Sequence, residues 1–345
     1  MAINSSHQEK NSLLQAEPNS AEQNLERHNN ALRPQSFDDY IGQAELIKSL
    51  KISISAARKR GDLASLGHML LYGPPGLGKT SLAYLLASEL GTEAKVFSAP
   101  ALERPKDILG ILMAANEGDI IFIDEIHRLN KITEELLYPA IEDYQIDIGS
   151  GKGTSSRLMR LDINKFILVG ATTKLGFISA PLRDRFIHIH RMEYYSETEL
   201  ARILLDNSHK LGLDLQEAAA QVIALRARAT PRIANRLLRL VRDYAEHKNL
   251  SQISETDCKQ ALDLYRIDKA GLDSMDRKIL SSMLEHYQGG PVGLETIAAI
   301  TGEDKNTIED YYEPFLIQSG FLHRTQRGRV LTQRGSEYAN QISNN

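Results

Sequence analysis

Residues 73–80 read GPPGLGKT, and no other stretch narrows the possible folds as far. The run fits G-x-x-x-x-G-K-[ST], a phosphate-binding loop. Gly73, Gly76 and Gly78 let the backbone turn with its N–H groups pointing inward around phosphate oxygens. Lys79 then brings a point charge to the β- and γ-phosphates, and Thr80 a hydroxyl for Mg²⁺. The flanks supply the context such a loop needs. His68 to Tyr72 (HMLLY) is a short apolar run, expected as a buried strand. Thr80 to Leu90 (TSLAYLLASEL) has helical spacing and stops at Gly91, a residue suited to a helix C-terminus. Strand, glycine loop and helix N-terminus together make an anion site. The expected cofactors are ATP and Mg²⁺.

A second acidic element belongs with the loop. Asp119 to Glu125 reads DIIFIDE, four consecutive apolar residues ending in two carboxylates. The apolar run predicts a strand buried on both faces, as in a parallel sheet. Its carboxyl end is where α/β sheets bind ligands. Asp124 has a reason to sit there if it meets Mg²⁺, and Glu125 can polarise the water that attacks the γ-phosphate. Ala94 to Ala99 (AKVFSA) and Lys165 to Thr173 (KFILVGATT) read as further strands, and 108–115 as a helix. Thr172 and Thr173 either sense the γ-phosphate or merely follow β propensity. Alternation of strands and helices over 68–190 predicts a parallel α/β sheet with crossover helices.

The chain of 345 residues is long enough for two or three domains, and 42% hydrophobic with 25% charged is enough for real cores. A net charge of −4 confines any nucleic-acid surface to a local patch. A single cysteine, Cys258, excludes a disulfide framework and fits a reducing compartment. Without a membrane-length apolar run or a signal-peptide pattern, the protein is expected to be soluble and cytoplasmic. Residues 1–30 are rich in Asn, Gln, Ser and Glu and are expected to form a disordered tail. Order is expected from Leu32-Arg33-Pro34, followed by a helix over 44–60 with Leu46, Ile47, Leu50, Ile54 and Ala57 on one face.

Three later stretches carry further signals. Residues 145–148 and 157–163 flank GSGKGTSS and predict a protruding β-hairpin, whose apolar residues either pack on the domain or present a docking patch. In Pro181-Leu182-Arg183-Asp184-Arg185-Phe186 the arginines form either a surface salt-bridge cluster or a finger that offsets transition-state charge in a neighbouring subunit. Residues 196–269 are helical in pattern. Thr230-Pro231 opens one helix, which puts Arg232 in its first turn, unfavourable on dipole grounds unless it answers a phosphate. Arg232, Arg236 and Arg239 share one face, which is either solvated or part of a lid.

From Gly271 the pattern is of helices at 274–287, 293–300 and 305–319, then a basic hairpin, FLHRT-QRGR-VLT. That is the winged-helix plan. Four arginines and no carboxylate lie between Phe321 and Arg334, which suits backbone phosphates better than base reading.

GPPGLGKT, DIIFIDEIHRL, GATT, PLRDRF, TPRIANRLLRLVRDYAEHK and the segment from GGPVGLETIAAITGE to FLHRTQRGR resemble, in order, the RuvB family of AAA+ ATPase motors, which drive Holliday-junction branch migration. The resemblance covers roughly residues 31 to 335. It implies an AAA+ P-loop domain over 31–193, a helical lid over 194–270 and a winged-helix DNA-binding domain over 271–345. By position it implies nucleotide contacts at Leu32, Arg33, Gly76, Lys79, Thr80, Ser81, Glu142, Asp143, Tyr144, Arg185, Tyr195 and Arg232. Thr80 and Asp124 would hold Mg²⁺. Lys79, Asp124, Glu125, Thr173, Arg185 and Arg232 would act in catalysis, Arg185 in trans. Arg324, Arg327 and Arg329 would meet DNA. It further implies a homohexameric ring, the junction-binding partner RuvA docked through hairpin 146–163, and an indirect relation to the resolvase RuvC. Lys174, Ala229, Ser81 and Ile187-His188 depart from the family pattern, yet every catalytic group is kept. Other classes that share these parts are a different AAA+ machine, such as a clamp loader, and a winged-helix regulator that binds ATP as a switch.

Overall fold

The computed structural model of the chain describes residues 32–150 and 157–343; the tail expected to be disordered lies outside them, as does the tip of the 146–163 hairpin. The central body is a five-stranded parallel sheet. Its strands are β1 (Met69–Tyr72), β2 (Ala94–Ser98), β3 (Ile120–Asp124), β6 (Ile167–Thr172) and β7 (His188–Arg191), in the spatial order β2-β3-β6-β1-β7. All ladders are parallel, so every strand ends on the same edge. Register then does the assembling. Tyr72, just before the glycine loop, stands level with Thr172, and Ile123, next to Asp124, with Gly170.

Strand alternation sorts the core onto two faces. Met69, Leu71, Phe122 and Val169 pack with Leu50 and Ile54 of α1 (Ala44–Arg60) and with Leu82 and Leu86 of α2 (Lys79–Leu90). Leu70, Ile121, Ile123 and Leu168 face the other way, onto α3 (Pro105–Met113) and α4 (Lys131–Glu142) through Ile108, Leu112, Leu137 and Ile141. Fully burying each such side chain contributes about 1.5–3 kcal/mol, so the sheet is rigid where it must hold the loop. In the same domain, β4 (Gln145–Ser150) and β5 (Arg157–Asp162) form a separate antiparallel pair. Of the hairpin's apolar residues, Ile146 is buried and Leu161 and Ile163 pack on the core, whereas Met159 is exposed. A short helix, α5 (Ala180–Arg183), precedes β7.

Four helices follow: α6 (Glu197–Lys210), α7 (Glu217–Leu225), α8 (Pro231–Lys248) and α9 (Glu255–Leu264). Ser196 caps α6 and Ser254 caps α9 through capping boxes with Glu199 and Asp257. Leu200, Leu204, Leu237 and Val241 join the core of the first sheet face, so this helical body continues from the ATPase sheet. The last part holds α10 (Ser274–Tyr287), α11 (Leu294–Thr301), α12 (Lys305–Thr307), α13 (Glu313–Gln318), the hairpin β8 (Leu322–Thr325) with β9 (Gly328–Leu331), and α14 (Gln333–Ser343).

Two differences from the sequence-based expectation have local causes. The helix expected over 305–319 is interrupted by a wide π turn at Ile308–Tyr312. Pro314 has no N–H to give the carbonyl of Asp310, and the chain takes up that fault as a looser turn. The closing helix α14 has little apolar signal, since Gln333 to Ser343 holds few strongly apolar residues. Ala339 is nevertheless wholly buried there, and Tyr338 packs on Phe321.

Candidate functional site

The glycine loop lies in a cleft of about 520 Å³ between the carboxyl edge of the sheet and the helical body. The loop's backbone explains its glycines. Gly76 has φ 84°, and a Cβ there would stand 2.9 Å from Cβ of Arg232. Gly76 is therefore the point where α8 comes down onto the loop, and the Arg232 N–H donates to its carbonyl at 3.3 Å. Gly78, at φ 96°, caps α2, so the first N–H groups of that helix open into the cleft.

Lys79 is buried, and its Nζ donates to the carbonyls of Gly73 (2.8 Å) and Pro74 (2.9 Å). Burial pushes its ammonium down to about 8; Asp124 and Glu125 pull it back up, and Arg232 presses it further down. An anion in the cleft would favour the charged ammonium and offset the two lowering effects. Asp124 and Glu125 close the cleft from β3. Oδ1 of Asp124 accepts the Glu125 N–H at 3.0 Å. Thr173 Oγ1 donates to Glu125 Oε2 at 3.2 Å, which ties the end of β6 to the end of β3. The Thr172 hydroxyl meets His127 Nδ1 instead, at 2.9 Å.

Leu32, Arg33, Gly76, Lys79, Thr80, Ser81, Asp124, Glu125, Tyr195 and Arg232, all expected from the sequence, line this one cleft. Arg236 and Arg239 line it too, so the basic face of α8 turns inward over the loop. The oxygen donors fit Mg²⁺. No group of three or more His, Cys, Asp or Glu fit to hold a metal occurs among the described residues. Thr80 and Asp124, which line the cleft, are hard oxygen donors of the kind Mg²⁺ takes alongside phosphates.

Sequence reasoning missed other contacts in and beside the cleft. The hydroxyls of Tyr40 and Tyr195 meet at 3.3 Å, and Tyr195 also donates to the carbonyl of Leu77 at 3.3 Å. Gln43 bridges to Glu193 by two hydrogen bonds of 2.7 and 3.0 Å, anchoring the N-terminal segment at the end of the sheet body. On the helical side Asn207 and Asn235 pair at 2.8 Å. Asn207 carried a usable signal, a lone amide on the apolar face of α6, where it is buried.

Four residues expected at the nucleotide are elsewhere in the chain. Glu142, Asp143, Tyr144 and Arg185 do not line the cleft. The Arg185 guanidinium is bonded to Glu142 at 2.8 Å and to the Pro181 carbonyl at 2.7 Å, and lies 4.6 Å over the Tyr138 ring. Tyr144 packs against His68 and Phe166. Their contacts are thus with other parts of the same domain.

The wing also corrects the expectation from sequence. Arg324 and Arg327 are exposed near the tip of the β8–β9 hairpin. Arg329 is not: its side chain is buried and donates twice to Glu313 Oε2, at 3.0 and 2.7 Å. A carboxylate buried at that depth needs its cation, so Arg329 braces the wing on α13 and is not presented at the surface.

Just before Thr230, the N-cap of α8, two consecutive residues without glycine's freedom take left-handed backbone, Arg228 at φ 52° and Ala229 at φ 54°. That costs an L-residue about 1–2 kcal/mol. Ala229→Gly is expected to raise stability by about 0.5–1 kcal/mol net of the extra chain entropy of glycine. A lowered thermal midpoint for that variant would contradict it.

Comparison with known protein families matches residues 32–192 to "Holliday junction DNA helicase RuvB P-loop domain", 195–268 to "RuvB AAA lid domain" and 269–340 to "RuvB C-terminal winged helix domain". Among curated proteins, the chain is 53% identical over 314 residues to a Synechocystis protein named "Holliday junction branch migration complex subunit RuvB", covering 91% of this chain and 86% of that one. It is 52% identical over 324 residues to the protein of the same name from Trichormus variabilis, covering 94% and 87%. A solved structure titled Thermotoga maritima RuvB Holliday junction branch migration motor superposes with TM-score 0.80 at 44% identity, covering 90% of this chain and 98% of that one.

Proposed function

The chain belongs to the RuvB family, and from that premise we propose that it is an ATP-driven DNA translocase that moves Holliday junctions in recombination and repair. It works as a ring, hexameric by family analogy, in the cytoplasm, beside a junction-binding partner of the RuvA type, with RuvC acting later on the same junction. The divisions 31–193, 194–270 and 271–345 serve as motor, lid and DNA-binding domain. The end of β7 at Arg191 and the start of α6 at Glu197 support the first of them. No described helix is long and apolar enough to cross a membrane.

The observation that carries the reading is the convergence of Lys79, of Asp124 and Glu125, and of Arg232, from three separate elements, on one cleft of nucleotide size. On binding, Lys79 exchanges the carbonyls of Gly73 and Pro74 for phosphate oxygens. Thr80 and Asp124 would hold Mg²⁺, which when bound neutralises phosphate charge. Glu125 polarises the attacking water, and Thr173 steadies that carboxylate. Arg232 reads the γ-phosphate from the lid, so that its loss after hydrolysis loosens α8 from the loop. Arg185, with Glu142 and Asp143 beside it, faces the neighbouring subunit's nucleotide. Lid motion reaches the winged-helix domain through contacts such as that of Arg236 with the Tyr311 hydroxyl, 3.2 Å.

The experiment is steady-state ATP hydrolysis with and without duplex and four-way junction DNA, adding the partner. Stimulation by DNA, greatest with junction and partner, supports a branch-migration motor. Indifference to DNA and partner would point to another AAA+ machine, and no hydrolysis at all to an ATP-gated binding module. At the wing, Arg324→Ala with Arg327→Ala is expected to weaken DNA binding about equally for all sequences. Its salt slope should fall by about 1 for each phosphate that the wing no longer neutralises. Unchanged affinity and slope would remove the wing tip from the interface.

A further inference from the structure

A carboxylate that polarises water must hold one oxygen still and offer the other. Glutamate does this poorly by itself, having three side-chain torsions. Here Glu125 starts from left-handed backbone, φ 50°, which a non-glycine residue keeps only when its surroundings impose it. One donor and one ring nitrogen then approach the same oxygen. Oε2 lies 3.2 Å from the Thr173 hydroxyl and 3.2 Å from Nδ1 of His127. Thr173 already steadies Glu125 in the proposed cycle; His127, two residues after Glu125, has no part in it.

The charge beside His127 favours one tautomer. Nδ1 lies 2.9 Å from the Thr172 hydroxyl oxygen. That oxygen already accepts the Lys174 N–H at 2.9 Å. Were Nδ1 bare, its lone pair would face a carboxylate oxygen with no hydrogen between them. With a hydrogen on Nδ1, that N–H donates to Thr172 Oγ1, its positive end lies 3.2 Å from Glu125 Oε2, and the carboxylate is attracted and not repelled. The ring itself cannot wander: its side chain is 10% exposed and stands edge-on to Phe177. Lys174 N–H, Thr172, His127 and Glu125 thus form one chain of contacts from the backbone after β6 to the end of β3.

We propose that His127 is a positioning residue for Glu125. Its Nδ1–H, oriented by Thr172, pins Oε2 and leaves Oε1 to take the water. His127 touches neither water nor nucleotide in this scheme. The inference rests on Glu125 being the water-polarising group, and the test separates the two.

Asparagine and glutamine both remove the ring, but they place their amide nitrogen differently. His127→Asn keeps a donor near the position of Nδ1; His127→Gln puts it near Nε2. Turnover is expected to fall about 10–100-fold in His127→Gln and His127→Ala, because misplacing a catalytic group by about 1 Å costs up to about 10²-fold. His127→Asn is expected to stay within about threefold of the natural chain. KM for ATP and the affinity for ADP stay unchanged in all three. Equal effects of Asn and Gln, a loss confined to nucleotide affinity, or unchanged turnover in all three overturns the inference. Nitrogen NMR of the histidine-labelled natural chain is independent of how the variants fold: a hydrogen on Nδ1 of His127 is expected, and a bare Nδ1 overturns the assignment. Glu125→Gln is the control for the underlying reading. If it leaves hydrolysis intact, the role of Glu125 fails; if it abolishes hydrolysis while the His127 series is silent, only the role of His127 fails.

Discussion

Subunits carrying Arg185→Ala are expected to bind nucleotide like the natural chain and to hydrolyse it at least about 10³-fold more slowly. The magnitude is that of an arginine finger, and the proposed ring would have the effect felt in trans. Arg185 does not line its own subunit's cleft. It is also held ready: Glu142 takes two of its nitrogens, at 3.0 and 2.8 Å, and the Pro181 carbonyl a third, at 2.7 Å. Such fixing lowers the entropy lost when the guanidinium meets a developing charge. Lysine has no fork to accept this arrangement, so Arg185→Lys is expected to recover little. Mixing gives the decisive measurement. Arg185→Ala subunits keep a working loop, and Lys79→Ala subunits keep a working Arg185. Neither should hydrolyse ATP alone, and together they should regain part of the rate at mixed interfaces. Full activity of Arg185→Ala alone, or no recovery at any mixing ratio, would put Arg185 outside the reaction.

How far these residues could be read in advance depends on how local their chemistry is. GPPGLGKT and DIIFIDE each carry their meaning in a few consecutive residues, because a phosphate loop is backbone geometry and a buried strand is an apolar run. The sheet then had to bring their ends together, as its parallel register does. Arg329 was misjudged because its partner, Glu313, lies 16 positions earlier on another element. Composition around the wing shows four arginines and no carboxylate; it says nothing of an acid on the helix behind. The same blindness covers Tyr40 with Tyr195, 155 positions apart, and the Gln43–Glu193 bridge, 150 apart. Arg185 and Glu142 are 43 positions apart, and only folding shows that they pair away from the cleft. What remained hidden is pairing between elements, which no periodicity encodes. His127 is the intermediate case: visible in the motif DEIHRL, but meaningful only once Thr172 stands beside it.

Arg228→Met is the second large effect expected, and it falls on stability. The Arg228 side chain is 6% exposed and bonds to Asp276, which is wholly buried, and to Asp273 at 3.2 Å. Its Nε donates to the Gly271 carbonyl at 3.2 Å, and its guanidinium lies 4.6 Å over the Phe315 ring. One side chain thus joins the turn before α8 to α10, to the segment that leads into it, and to α13. Removing one partner of a buried ion pair costs about 3–5 kcal/mol, which for this chain is on the order of a 10 °C fall in the thermal midpoint. The pH dependence gives the sign. Burial raises the Asp276 carboxyl to about 7, with Arg228 pulling it down and Asp273 pushing it up. The folded chain therefore holds a proton there that the unfolded chain has released, so this group's contribution to stability falls as pH rises from about 4 to about 7. Without Arg228 the carboxyl titrates higher still, and the fall continues above pH 7 at up to about 1.4 kcal/mol per unit. The gap between Arg228→Met and the natural chain should accordingly be smaller at pH 6 than at pH 9. Arg228→Met with Asp276→Leu removes both charges and should recover much of the loss at pH 9. Because Arg228 does not line the cleft but ties the segment before α8 to the winged-helix domain, the single variant should also keep basal ATP hydrolysis while losing its stimulation by DNA. A thermal midpoint within about 2 °C of the natural chain at both pH values, with stimulation intact, would show that the lid and the wing are coupled elsewhere.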